Sequence, residues 1–131
     1  MILSEPSPRD PRQVLGREGE AAAEDALRDA GLRILERRFR VRQGEIDLVA
    51  MDGDVLVFVE VKTRRGLGYG SPSEAVISGK QKRLARVALA YLARHGMLER
   101  RCRFDVVEVL YEGPGHSRVR HIPDAFRPSA R

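Results

Sequence analysis

The carboxylates of Asp47 and Glu60 and the ammonium of Lys62 fall within one short stretch, Gly44–Lys62, which reads GEIDLVAMDGDVLVFVEVK. Asp52-Gly53-Asp54 is a tight-turn signal between two apolar runs, so its flanks are expected to pair as antiparallel strands. Counting back from the turn brings Asp47 on the first arm to the Glu60 end of the second. On the second arm Leu56, Phe58, Glu60 and Lys62 share one face, and Val55, Val57, Val59 and Val61 share the other. Strict alternation on the first arm puts Ile46 and Leu48 on one face, with Asp47 and Val49 on the other. Same-face neighbours lie roughly 7 Å apart along a strand, so Asp47, Glu60 and Lys62 can converge. Two carboxylates can share a hard divalent cation, Mg²⁺ or Mn²⁺, that keeps several waters. Such a cation acidifies a bound water and neutralises charge on a phosphoryl oxygen. A lysine alongside orients the water or offsets the charge of the transition state. An exposed Glu-x-Lys alone is an ordinary ion pair of little energetic weight. Here it ends a strand apolar on both faces, the pattern of a central, buried strand.

The elements that must position these groups are legible on both sides. Val14, Leu15, Ala22, Ala26 and Leu27 recur at helical spacing and predict a first helix from Arg12 to Ala30, stopped at Gly31. Strands are expected at Leu32–Phe39, Glu45–Met51 and Val55–Lys62, followed by a glycine-rich loop over Thr63–Ser73. A second helix, Ser78–Arg94, carries the apolar stripe Leu84, Val87, Ala88, Tyr91 and Leu92, with Lys82, Arg83 and Arg86 mostly off it. Cys102–Leu110 predicts a fourth strand and Arg118–Ile122 a short fifth, joined by a turn at Glu112–Gly115. The order implies an α/β fold in two or three layers, with a mixed central sheet of about five strands flanked by helices. One domain is expected over residues 12–126, between a proline-rich N-terminal tail, 1–11, and a C-terminal tail, 127–131.

Composition narrows the function classes. The chain has 131 residues, 42% of them hydrophobic but only 5% aromatic, with no Trp, so its core must be aliphatic. A lone cysteine, Cys102, excludes an internal disulfide and a cysteine-rich zinc site, and is expected to be a small core residue. His95, His116 and His121 show no metal-ligand spacing, and Asp105 is read as structural. No apolar run is long enough to span a bilayer, and no charged-then-apolar leader is visible. The expectation is a cytoplasmic protein with no membrane partner. The net charge is +5 and the pI about 10.0, which favours polyanionic partners. Between Thr63 and Arg103 basic residues crowd the chain, and Glu74 and Glu99 are the only acids. Arg64, Arg65, Tyr69, Lys80, Lys82, Arg83 and Arg86 are therefore the candidate nucleic-acid contacts, as clamps or stacking groups; a solvated loop and helix face is the alternative.

GEIDLV followed by FVEVKTR resembles the core of the PD-(D/E)XK nuclease superfamily, nearest its archaeal Holliday-junction resolvase-like and Mrr-like branches. With Gly16-Arg17-Glu18-Gly19-Glu20 and Asp124-Ala125-Phe126 added, the set resembles the YraN family of small bacterial proteins regarded as candidate endonucleases. The resemblance spans roughly residues 12–126. It implies a restriction-endonuclease-like core, Asp47 and Glu60 as metal-binding carboxylates, and Lys62 as the catalytic lysine. It adds Glu20 on the first helix as a further catalytic and metal-binding carboxylate, with Glu18 and Glu24 as competitors. Glu45 stands where the superfamily name shows proline, and is read first as a surface charge. The implied activity is Mg²⁺- or Mn²⁺-dependent hydrolysis of nucleic acid, with branched or structured DNA favoured over RNA. Symmetric junction cleavage would call for a homodimer. The competing reading is a non-catalytic nucleic-acid-binding or assembly module that keeps the fold.

Overall fold

A computed structural model describes residues 11–65 and 78–128. Helix α1 (Pro11–Asp29) leads into β1 (Arg33–Val41), β2 (Gly44–Asp52) and β3 (Val55–Arg65). Helix α2 (Ser78–Arg94) follows, then β4 (Cys102–Gly113) and β5 (His116–Phe126). The strands form one five-stranded sheet in the order β1-β2-β3-β4-β5. Among the described residues only β3 and β4 pair in parallel, and the crossover that a parallel pair requires includes α2. The mixed sheet with helices on both faces is a restriction-endonuclease-like α/β core.

Helices α1 and α2 cover opposite faces, so the described residues form three layers. Ala23 and Leu27 of α1 pack with Leu48, Ala50, Val57, Val59, Val107 and Val109. Leu84, Val87, Ala88, Tyr91 and Leu92 of α2 pack with Phe39, Ile46, Val49, Leu56, Phe58, Phe104 and Val106. Tyr91 meets Phe39 and Phe58 edge-on, with ring centroids 5.1 and 5.8 Å apart, so these three rings are gathered under α2. Gly31, at φ 92°, ends the first helical segment as expected, and Leu32 N–H donates to Leu27 O at 2.9 Å.

Four expectations need correction. Ile46 packs under α2 while Leu48 packs under α1, so the two do not share a face and alternation breaks at Asp47. Thr63–Arg65 is strand, not loop, because it continues the parallel pairing with Val109–Tyr111; residues 66–73 of that predicted loop lie outside the described residues. The fifth strand passes Pro123 to Phe126, because an edge strand tolerates a residue with no N–H to donate. Cys102 is exposed, since it opens β4 at the rim of the sheet and not in its core.

Candidate active site at the fork between two strands

The β2–β3 ladder runs from Asp52↔Val55 to Leu48↔Val59 and stops there. Beyond that point β2 leaves β3, and Asp47 fills the fork: its Oδ2 accepts the Val61 N–H at 2.7 Å. A side chain thus takes a donor that the ladder would otherwise use. The break in alternation at Asp47 has a counterpart on β1, where Arg38 adopts φ 53° between Arg37, paired with Leu48, and Phe39, paired with Ile46. A left-handed arginine is strained, and such strain is concentrated at functional sites.

Glu60 and Lys62 follow on the α2 face of β3, with Val61 on the other. Glu60 is buried and forms a close ion pair with Lys80 from the first turn of α2. Lys62 is half-buried. Burial chiefly, and then the charge of Glu60, push the Asp47 carboxyl up to about 7, against the pull of the Val61 N–H. Glu20 and Glu45 raise it further. The structure therefore brings Glu60, Glu20 and Glu45 within electrostatic reach of Asp47.

Glu20 reaches this region because α1 lies very close to β3. A Cβ on Gly19 would come within 1.9 Å of the Thr63 hydroxyl oxygen, so only glycine permits that approach. Glu20 lines a cleft with Gly16, Arg17, Arg38, Arg40, Glu45 and Asp47. Its carboxylate accepts two hydrogen bonds from Arg38, at 2.8 and 3.1 Å. The competing acids of α1 are engaged elsewhere: Glu24 by Arg28 and Arg37, and Glu18 by Tyr111. Glu45 pairs with Arg40 at 3.3 Å. Among the described residues no three acidic or imidazole groups are drawn together as a metal cage. The donor chemistry still fits a hard cation, since Asp47 and Glu60 repel each other. Mg²⁺ is commonly held by one or two carboxylates and completed by waters and substrate phosphate.

The candidate nucleic-acid contacts divide. Arg64 follows Lys62 on the α2 face of β3. Arg65 is on the opposite face, its guanidinium 5.4 Å from the centroid of the Tyr111 ring, because alternation separates consecutive residues. Tyr69 lies outside the described residues. Lys80 is engaged by Glu60, whereas Lys82, Arg83 and Arg86 are exposed on α2, and Arg83 lines a groove with Gln43, Gly44, Glu45 and Lys80. Counting charge by stretch of chain missed Arg17, Arg38 and Arg40 beside Asp47; the signal available was the arginine density of β1, RILERRFRV. It also missed Glu108, an acid in the apolar run of β4 that is 1% exposed.

The model of the uncharacterised protein family UPF0102 matches residues 19–109. A UPF0102 protein of Symbiobacterium thermophilum is 57% identical over 86% of this chain and 95% of its own length. One from Rhodococcus jostii is 49% identical over 86% of this chain and 96% of its own. Among solved structures, Pyrococcus furiosus SfsA in complex with Ca²⁺ aligns at 18% identity and a TM-score of 0.41, over 85% of this chain and 63% of that one.

Proposed function

The chain belongs to the uncharacterised protein family UPF0102, the YraN family, and from that premise we propose that it is a metal-dependent endonuclease acting on branched or otherwise structured DNA. One observation carries the reading: Asp47 sits in a strand fork beside buried Glu60, with Lys62 on the same strand, and the two acids repel. A site built for stability alone would not hold two partly desolvated carboxylates against each other. Asp47 and Glu60 would hold Mg²⁺ or Mn²⁺, joined by Glu20 once Arg38 releases it. The cation supplies an activated water and charge neutralisation at the phosphate. The chain's own residues do the rest. The Val61 N–H fixes the orientation of Asp47. Lys62 presents an ammonium to the attacking water or to the charge that builds on the phosphate. Lys80, displaced from Glu60, and exposed Lys82, Arg83 and Arg86 contact the backbone of the nucleic acid.

The test is a cleavage panel in Mg²⁺ and Mn²⁺ on four-way junctions, flaps, single and double strands, and structured RNA. Asp47→Ala and Glu60→Ala are expected to reduce product to background while retaining most affinity, which the basic residues supply. Cleavage that survives either substitution removes the assignment. A second reading has its own support: Lys80 and Arg38 neutralise Glu60 and Glu20 with protein groups alone, as a non-catalytic nucleic-acid-binding module would require. That reading predicts salt-dependent binding with no metal-dependent product on any substrate.

A further inference from the structure

Glu108 is buried more completely than Glu60, at 1% against 7% exposed, and no step above uses it. It stands on β4 in register with Lys62 of β3 and with Arg120 of β5. Partners in register project to the same side of a sheet. The row Lys62–Glu108–Arg120 therefore crosses the face that carries Glu60. Arg120 Nη2 donates to Glu108 Oε2 at 2.8 Å. Glu108 Oε1 is buried and has no hydrogen-bond partner. A buried carboxylate oxygen without a donor is costly and calls for an explanation.

Arg120 already serves the other oxygen of this carboxylate, and the second cation in register with Glu108 is the ammonium of Lys62. Neighbouring strands are about 4.8 Å apart, and Lys62 occupies the position beside Glu108 on that spacing. Glu60, the other acid on this face of β3, is already engaged by Lys80. Arg64 lies one pair further along, beside Leu110. The four-carbon stem of a lysine is long enough to cross that spacing.

We propose that Glu108, anchored by Arg120, is the positioning residue for Lys62: its Oε1 accepts a hydrogen bond from Nζ and fixes the ammonium on the Glu60 side of the sheet. The proposal deepens the nuclease reading, because it assigns Glu108 a role through the lysine that acts there.

Lys62, Lys80 and Lys82 are the only lysines of the chain, so the side-chain amines are separable in the full-length protein labelled with ¹⁵N-lysine. Single Lys→Arg variants assign them. The readout needs neither metal nor nucleic acid. The expected result is a slowly exchanging Lys62 Nζ signal that disappears in Glu108→Leu, which removes the acceptor, while the Lys80 and Lys82 signals hold. A Lys62 signal unchanged by Glu108→Leu overturns the proposal. Should Glu108→Leu not fold, Lys62→Met reads the same pairing from the other side. A shift of the Glu108 carboxylate ¹³C signal in that variant supports the pairing, and an unmoved one overturns it. In cleavage assays Glu108→Leu is expected to lower kcat about 10- to 100-fold, as removal of an orienting partner does, with KM unchanged. A wild-type chain that cleaves nothing would defeat the nuclease reading, and the amine signal would still decide the pairing.

Discussion

Two aspartates carry opposite electrostatic consequences for stability. The Asp47 carboxyl is raised from 3.8 to about 7, chiefly by burial and then by Glu60. Between those values the unfolded chain has released a proton that the folded chain retains. Stability is full below the unfolded value and is lost as the pH rises through about 7. Asp47→Asn keeps an acceptor for the Val61 N–H and removes the titration. We expect it to be more stable than the wild type at pH 8 by on the order of 2 kcal/mol, allowing for partial exposure, and nearly equal at pH 4. Urea unfolding at the two pH values checks this, and an advantage independent of pH would refute the electrostatic origin. Asp105 behaves in the reverse sense. Burial alone would raise its carboxyl, but hydrogen bonds from His121, Arg103 and the Asp124 N–H outweigh burial and lower it. Its contribution is present above the unfolded carboxylate value and is lost as the pH falls through the lowered folded one. Asp105 is completely buried, and it holds Arg103 at 2.9 Å and His121 at 2.7 Å. Asp105→Asn should therefore cost about 3 kcal/mol near neutrality, as breaking a buried pair does. That cost should shrink in acid, in the same unfolding measurements.

At the scale of elements, the approach of α1 to β3 is set by one glycine and left open by another. A Cβ at Gly19 would collide with Thr63, whereas one at Gly16 would meet nothing within 4 Å. Gly19→Ala should push α1 off the strand and cost about 1–3 kcal/mol, the range of overpacked sites. Gly16→Ala should gain up to about 1 kcal/mol from helix propensity. Thermal unfolding of the pair distinguishes packing from propensity, since propensity alone would stabilise both. Helices, strands and the hairpin were readable because apolar period and turn residues are local signals, and the hairpin count correctly brought Asp47 to the Glu60 end. The face of Ile46 was not readable, because its switch is produced by a distortion shared with Arg38 on another strand. The Arg38–Glu20 and Lys80–Glu60 pairs were equally hidden, each joining a helix to a strand distant in sequence. The strand at Thr63–Arg65 escaped because its residues are polar, and pairing with β4 rather than composition makes it strand. Glu108 was passed over because an acid inside an apolar run looks like an interruption until Arg120 is seen beside it.

For the whole molecule, the sheet separates two groups of cations that sequence order mixes. Exposed Lys82, Arg83 and Arg86 lie on α2, while Arg17, Arg38 and Arg40 line the cleft with Glu20 and Asp47, near α1. The second group is interleaved with carboxylates, Arg38 with Glu20 and Arg40 with Glu45. In α2, Lys82, Arg83 and Arg86 stand on a helix that contains no acidic residue. A net charge of +5 says nothing about which group meets a polyanion, but the ion pairs do. Cations already matched by carboxylates release fewer counterions on meeting phosphate than unmatched ones. Replacing Lys82, Arg83 and Arg86 together by glutamine should weaken nucleic-acid binding almost equally for every sequence. It should also flatten the dependence of log affinity on log salt by roughly one for each phosphate no longer neutralised. Replacing Arg17 and Arg40 should leave that slope nearly unchanged, because the freed Glu45 restores negative charge where positive charge is removed. Binding measured from low to moderate salt separates the two surfaces. A slope governed by the arginines near α1 would reverse the assignment and move the docking face to the other side of the sheet.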